Sequence, residues 1–141
     1  MSHILTDLGE EYTLETALEG VSITIGLYDD STDAIGDTND IADITTEPSD
    51  GNYARQTDTL TLVDESGDWA AETATQTSFD VANTTGTVDS YFVVVNFTAD
   101  DTGDGGATDH LACTGALSQS YDLSNVDTLN IDAGTIGWKI S

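Results

Sequence analysis

Residues 90–97, Ser-Tyr-Phe-Val-Val-Val-Asn-Phe, leave this chain the fewest ways to fold. In an extended chain Tyr91, Val93, Val95 and Phe97 point to one side and Phe92 and Val94 to the other. A strand apolar on both faces sits centrally in a sheet or is covered by another subunit. Other short strands surround it in the sequence. Residues 21–28 alternate Ile23, Ile25 and Leu27 with Ser22, Thr24 and Gly26. Residues 53–63 are Thr-rich and alternate toward Leu60 and Leu62, and 69–75 open on Trp69. Phe79 and Val81 mark another strand, 111–117 carries Cys113, and 121–123, 128–131 and 134–140 finish the chain. Turn formers separate them at 64–68 and 83–86.

Residues 4–18 read as a helix in which Ile4, Leu8, Tyr12 and Leu18 share a face, with Thr6 as a cap and Gly20 at the C-terminal end, the alternative being a short helix followed by an edge strand at 12–18. These elements predict an all-β fold: an antiparallel β-sandwich, jelly-roll-like, with a short N-terminal helix. The expected organisation is a helical segment at 1–20 and a sandwich at 21–141, forming a single domain. A chain of this length buries roughly two-thirds of its unfolded surface and needs no disulfide; the single Cys113 reads as a small buried residue.

Charge sets the environment. The chain has 27 acidic side chains against two basic ones, Arg55 and Lys139, for a formal net charge of −25. The carboxylates are spread among apolar strand patterns, which argues against a disordered acidic tail. Repulsion at this density is strongly screened only in salt; near 1 M the Debye length is about 3 Å. The expectation is a folded protein adapted to brine. Two cations cannot displace counterions from phosphates, so nucleic acid is excluded as a partner, and anionic membrane surfaces with it. No apolar run approaches the length of a membrane span, and residues 1–10 lack the features of a secretory leader.

The long polar connection 29–50 carries Asp29, Asp30, Asp33, Asp37, Asp40, Asp43 and Glu47, with Ile41 and Ile44 as the points that pin it to the body. So long a connection is usually functional or an interface. It ends in the turn formers Pro48-Ser49-Asp50-Gly51-Asn52, beside Tyr53 and Arg55. An arginine in so acidic a chain should find a carboxylate, and Arg55 reads as a clamp tying the loop to the sheet.

Asp100-Asp101-Thr102-Gly103-Asp104-Gly105 resembles the opening of a calcium loop. Asp100, Asp101 and Asp104 are therefore the candidate metal ligands. Position twelve is Leu111 where a bidentate Glu is required, so weak cation association is the expectation and no cofactor is implied. His110 lies beside Asp109 and reads as its partner. With two histidines, one cysteine and no Gly-x-Ser-x-Gly elbow, the chain reads as non-enzymatic. Tyr53, Arg55, Trp69, Tyr91, Phe92 and Trp138 are the candidate structural and interface residues. The need to cover 91–97 on both faces points to a homo-oligomer, trimer or pentamer.

Four segments in sequence carry a family resemblance: Leu5-Thr6-Asp7-Leu8-Gly9, Ile23-Thr24-Ile25-Gly26-Leu27-Tyr28, Gly51-Asn52-Tyr53-Ala54-Arg55-Gln56, and Val126-Asp127-Thr128-Leu129-Asn130-Ile131-Asp132-Ala133-Gly134. Together they are similar to small virion structural proteins of tailed viruses, and in acidity to those infecting haloarchaea. The loop 29–50 is longer than that pattern. The resemblance implies a β-sandwich subunit displayed on a capsid, as a decoration or turret-like protein, or on a tail. It implies partners among other virion proteins such as the major capsid protein, assembly in the host cytoplasm and a place on the virion surface. The reading from a different class is a halophilic cation- or carbohydrate-binding β-sandwich module.

Overall fold

In the computed structural model, residues 6–97 and 107–139 are described. The fold is mostly β and antiparallel, with a short N-terminal helix. In chain order the elements are α1 (Asp7–Ala17), β1 (Ser22–Tyr28), α2 (Asp30–Asp33), a 3-10 turn (Ile41–Asp43), β2 (Gln56–Glu65), β3 (Asp68–Thr73), β4 (Thr77–Asp80), β5 (Thr87–Phe97), β6 (Thr108–Asp122), a second 3-10 turn (Leu123–Asn125), β7 (Thr128–Ile131) and β8 (Gly137–Lys139). The residues fall into two compact units. One comprises Met1–Ser22, Asp58–Thr77 and Ile131–Ser141; the other comprises Ile23–Thr57 and Ser78–Asn130.

In the first unit β3 pairs antiparallel with β2 on one side and β8 on the other. Thr6 caps α1 by accepting from the Gly9 N–H at 3.3 Å, and Gly20 takes the left-handed conformation after the helix (φ 71°). The buried face of α1 differs from the expected one. Glu10 and Leu14 are buried, whereas Leu8 and Tyr12 are 76% and 68% exposed. The helix is turned so that Glu10 Oε2 accepts from the Trp69 N–H at 3.3 Å. That backbone donor draws a carboxylate inward and leaves the apolar pair outside.

In the second unit β5 lies between β1 and β6. Tyr91, Phe92, Val93 and Val94 are all buried within the chain itself. For these four the central position alone supplies the cover, whereas Val95 is half-buried and Phe97 is 44% exposed. Two cross-strand pairs explain how such large rings fit at the centre of a sheet. Phe92 is paired with Gly26 of β1, and Tyr91 with Gly115 of β6. At either glycine a Cβ would collide with the opposing ring. Each ring therefore fills the space of a missing side chain, and each glycine's exposed backbone is covered by an aromatic face. β4 and β7 pair separately.

Several element boundaries differ from the expectation, three of them in a way that matters for the site. β2 begins at Gln56, so Tyr53, Ala54 and Arg55 precede the strand rather than belong to it. Residues 111–117 and 121–123 are not two strands, since β6 runs through Asp122 and Leu123 opens a 3-10 turn. The connection 29–50 holds a short helix and a 3-10 turn where a plain loop was expected.

Candidate functional site: the acidic loop and its clamp

The connection 29–50 has little regular structure, so its backbone N–H groups need partners from elsewhere. Its own carboxylates supply many of them. Asp29 caps α2, accepting from the Ser31 N–H at 3.1 Å and from the Thr32 hydroxyl at 2.9 Å. Asp89, on β5, accepts from the N–H groups of Asp30 and Ser31 at 2.7 and 3.2 Å. Asp30 accepts from the Ile35 N–H at 3.0 Å and the Tyr28 hydroxyl at 2.9 Å.

Asp33 takes four donors: the N–H groups of Thr45 and Thr46, both at 3.0 Å, and their hydroxyls at 2.6 and 2.7 Å. Burial pushes the Asp33 carboxyl up, but these donors outweigh it and hold it below the usual carboxylate value. The Ser31 hydroxyl holds Asp29 down in the same way, the Leu111 N–H holds Asp40 down, and the Thr85 hydroxyl holds Asp50 down. Donors aimed at a carboxylate favour its charged form.

Apolar contacts press the same loop onto the sheet. Tyr28, Phe92 and Val94 form a buried cluster, and Ile35, Ile41, Ile44 and Leu111 pack against it. The two isoleucines expected to pin the loop do so, with Ile35 as a third. Asp40 adds a polar tie to β6: its carboxylate accepts from the Leu111 N–H at 2.8 Å and faces His110 Nδ1 at 3.0 Å. Asp40 is thus a carboxylate partner of His110, while the adjacent Asp109 accepts from the Asn96 amide at 2.8 Å. Along a strand adjacent side chains point to opposite faces, which keeps neighbours 109 and 110 apart. His110 Nε2 lies 2.9 Å from the Thr108 hydroxyl. A hydroxyl, an imidazole and a carboxylate thus stand in the order a nucleophilic triad uses. A cavity of about 260 Å³ beside β6 is lined by Leu111, Ala112, Cys113 and Thr114 with the loop residues Ile35, Gly36, Asp37 and Asn39.

The clamp closes the loop's far end. Arg55 Nε and Nη2 donate to the two oxygens of Glu47 at 2.8 and 2.7 Å. The carboxylate expected for this lone arginine is thus the last acid of the loop. The guanidinium also lies 5.0 Å from the centroid of the Phe92 ring, a cation–π distance. Tyr53 completes the group. Its hydroxyl donates to Glu47 at 2.9 Å and accepts from the Leu27 N–H at 2.9 Å. Its ring stacks on Phe79, 6.1 Å between centroids. Burial first, and then the Glu47 charge, pushes the Tyr53 phenol far above its ordinary value, so it remains a donor. The turn that delivers these residues needs glycine at 51: φ is 61°, and a Cβ there would strike the backbone of Asn83 and Thr84.

The other candidates lie elsewhere. Trp69 and Trp138 are half-buried. Trp138 lines a cavity of about 130 Å³ with Glu65, Glu72 and Lys139. Asp100, Asp101 and Asp104 lie outside the described residues. Among the described residues no group of three or more His, Cys, Asp or Glu side chains converges as a metal site would require, and no helix is long and apolar enough to cross a membrane. Cys113 has its thiol pushed up to about 11 by burial, a setting for an unreactive cysteine. Sequence reasoning missed Asp89, the part Asp33 plays in holding Thr45 and Thr46, and the Asp40–His110 tie. Their only sequence signal is the Asp-plus-Thr composition of the loop, which marks hydrogen-bonding capacity but not pairing.

No family model matches the chain, and no curated protein or solved structure matches it either.

Proposed function

We propose that this chain is a non-enzymatic structural subunit of a halophilic tailed virus. In this reading it is a capsid decoration or turret-like protein at the virion surface, self-associated, assembled in the host cytoplasm and docked on other virion proteins such as the major capsid protein. A tail position is the close variant, and a jelly-roll-like wiring of the strands belongs to the same proposal. The observation that carries it is the use made of the carboxylates. Asp29, Asp33, Asp40, Asp50 and Asp89 act as acceptors that order irregular backbone, so acidity here builds a display surface rather than a reaction centre. A −25 chain organised in this way suits molar salt, where repulsion between its surfaces is screened. The four segments of family resemblance supply the virion part of the reading.

Mass spectrometry of purified virions tests it: the chain should be detected in stoichiometric amount, and its absence would sink the reading. Circular dichroism tests the salt part, since the folded spectrum should be lost on transfer to low salt. An unchanged spectrum there removes the halophilic element.

A cation- or carbohydrate-binding module is the second reading. It is favoured by the cavity where Trp138 meets Glu65 and Glu72. Calcium or an oligosaccharide that raises the melting temperature in molar potassium chloride would move the balance toward it.

A further inference from the structure

A single exposed leucine or tyrosine needs no explanation on a protein surface, but α1 exposes two that belong together. Among the described residues the large apolar side chains at the surface are Leu8, Tyr12 and Phe97. The Phe97 ring packs on His110, 4.9 Å between centroids. Leu8 and Tyr12 are four positions apart on one helix, so they stand one above the other on the same face. That face lies opposite the buried Glu10 and Leu14, because the helix turns by a little over half a circle in two residues. The helix thus leaves apolar surface in water and takes a carboxylate inward. By area alone, the reverse orientation would remove more apolar surface from water. A partner that covers the outer face recovers that surface.

The flanks of the pair define the partner. Helical spacing places Glu11 and Glu15 along one side of Leu8 and Tyr12, and the uncharged Gly9, Thr13 and Thr16 along the other. A strip with one acidic edge fits an apolar groove that carries Lys or Arg along one rim. A second copy cannot offer that rim. The chain has two cations, Arg55 and Lys139, and both are already held: Arg55 on Glu47, and Lys139 on Glu65 and Asp68. An antiparallel two-fold pairing of α1 would set the Glu11–Glu15 edge against itself. A parallel one would set it against Thr13 and Thr16. Neither brings a base, so the occupant is a different protein.

We propose that the outer face of α1 is a docking surface, in which Leu8 and Tyr12 enter an apolar groove on a different protein while Glu11 and Glu15 meet basic side chains on its rim. In molar salt the charges fix which way the helix lies, and the apolar pair supplies most of the affinity. The inference rests on the docking part of the proposed function and not on its virion part.

Photo-cross-linking of the full chain tests it, with Tyr12 replaced by p-benzoylphenylalanine and irradiation in the cells that make the protein. The expected product joins this chain to another protein, at an apolar site with Lys or Arg beside it, read by peptide mass spectrometry. That protein, purified, should bind the parent chain in molar potassium chloride. Leu8→Ser/Tyr12→Ser should weaken binding about thirty-fold or more, the effect of losing two anchoring side chains, with the circular dichroism spectrum unchanged. Glu11→Gln/Glu15→Gln should weaken it about three-fold, since exposed charges are screened in salt. Cross-links confined to a second copy or to lipid overturn the proposal. So does the absence of any cross-link at position 12, a joined site with no basic neighbour, or a partner indifferent to Leu8→Ser/Tyr12→Ser. The virion reading fails separately, if the joined protein is not a virion component, and the docking surface then stands.

Discussion

The two cations of the chain make two unlike ion pairs. Arg55 is a planar fork with both arms on one carboxylate, at 2.8 and 2.7 Å, and an aromatic ring 5.0 Å away. The Glu47 it holds also accepts from Tyr53. Lys139 reaches two carboxylates, Glu65 at 3.3 Å and Asp68 at 3.4 Å, and all three side chains are more than 40% exposed. Lys139 has more opposite charge nearby, yet Arg55 is the stronger tie. Bidentate geometry and partial burial fix one pair, whereas water and salt compete for the other. In brine that difference widens, because screening reaches exposed charges first.

The largest test of this contrast is the ring beside the guanidinium. Phe92→Ala should cost about 4 kcal/mol in chemical unfolding, because it empties the space over Gly26 and loosens Tyr28 and the loop isoleucines. A cost no greater than that of removing Arg55 would mean that the ring is not the base of the clamp. Arg55→Ala should cost about 2 kcal/mol by loss of charge-assisted hydrogen bonds and exposure of Glu47 to unpaired burial. Arg55→Lys should recover only part of it, since an ammonium cannot supply the fork. Slowed amide exchange at 45 and 46 in Arg55→Ala, equal to that of the parent chain, would show that the loop does not depend on the clamp.

Acid should act next in size. Asp29, Asp33, Asp40 and Asp50 all lie below their ordinary values. Between the folded and unfolded pKa values the folded chain therefore binds fewer protons, and stability rises with pH. Their contribution is complete above about pH 4 and is lost as pH falls through the folded values. Amide exchange at Thr45 and Thr46, followed down in pH at constant salt, should accelerate in that window. Asp33→Asn should show the acceleration already at neutral pH. The smallest effect belongs to Lys139→Ala, whose unfolding midpoint in molar salt should match the parent's. A loss approaching that of Arg55→Ala would erase the distinction between the two pairs.

Much of the fold was legible because strand and turn signals are local. The alternation at 21–28 became β1, the doubly apolar run at 90–97 became the central strand β5, and Gly20 took its left-handed place after α1. The helix face was misjudged because Leu8 and Tyr12 satisfy helical periodicity as well as the true inner face does, and only the Trp69 N–H reveals why Glu10 turns inward. Similarly, Asp109 was the nearest carboxylate to His110 in sequence, but strand geometry sends it to the opposite face. A carboxylate that serves His110, Asp40, is 70 positions away.

The sequence alone determined a mostly β chain in a strongly acidic setting, a lone arginine obliged to find an acid, and a loop pinned by Ile41 and Ile44. These follow from periodicity, net charge and hydrophobicity, which act whatever the topology. The tertiary structure alone decided which acid Arg55 holds and which glycines lie beneath Phe92 and Tyr91. Those are matters of strand order and register. A one-residue shift in register turns every side chain to the other face, and nothing within a single strand records which neighbour it will meet.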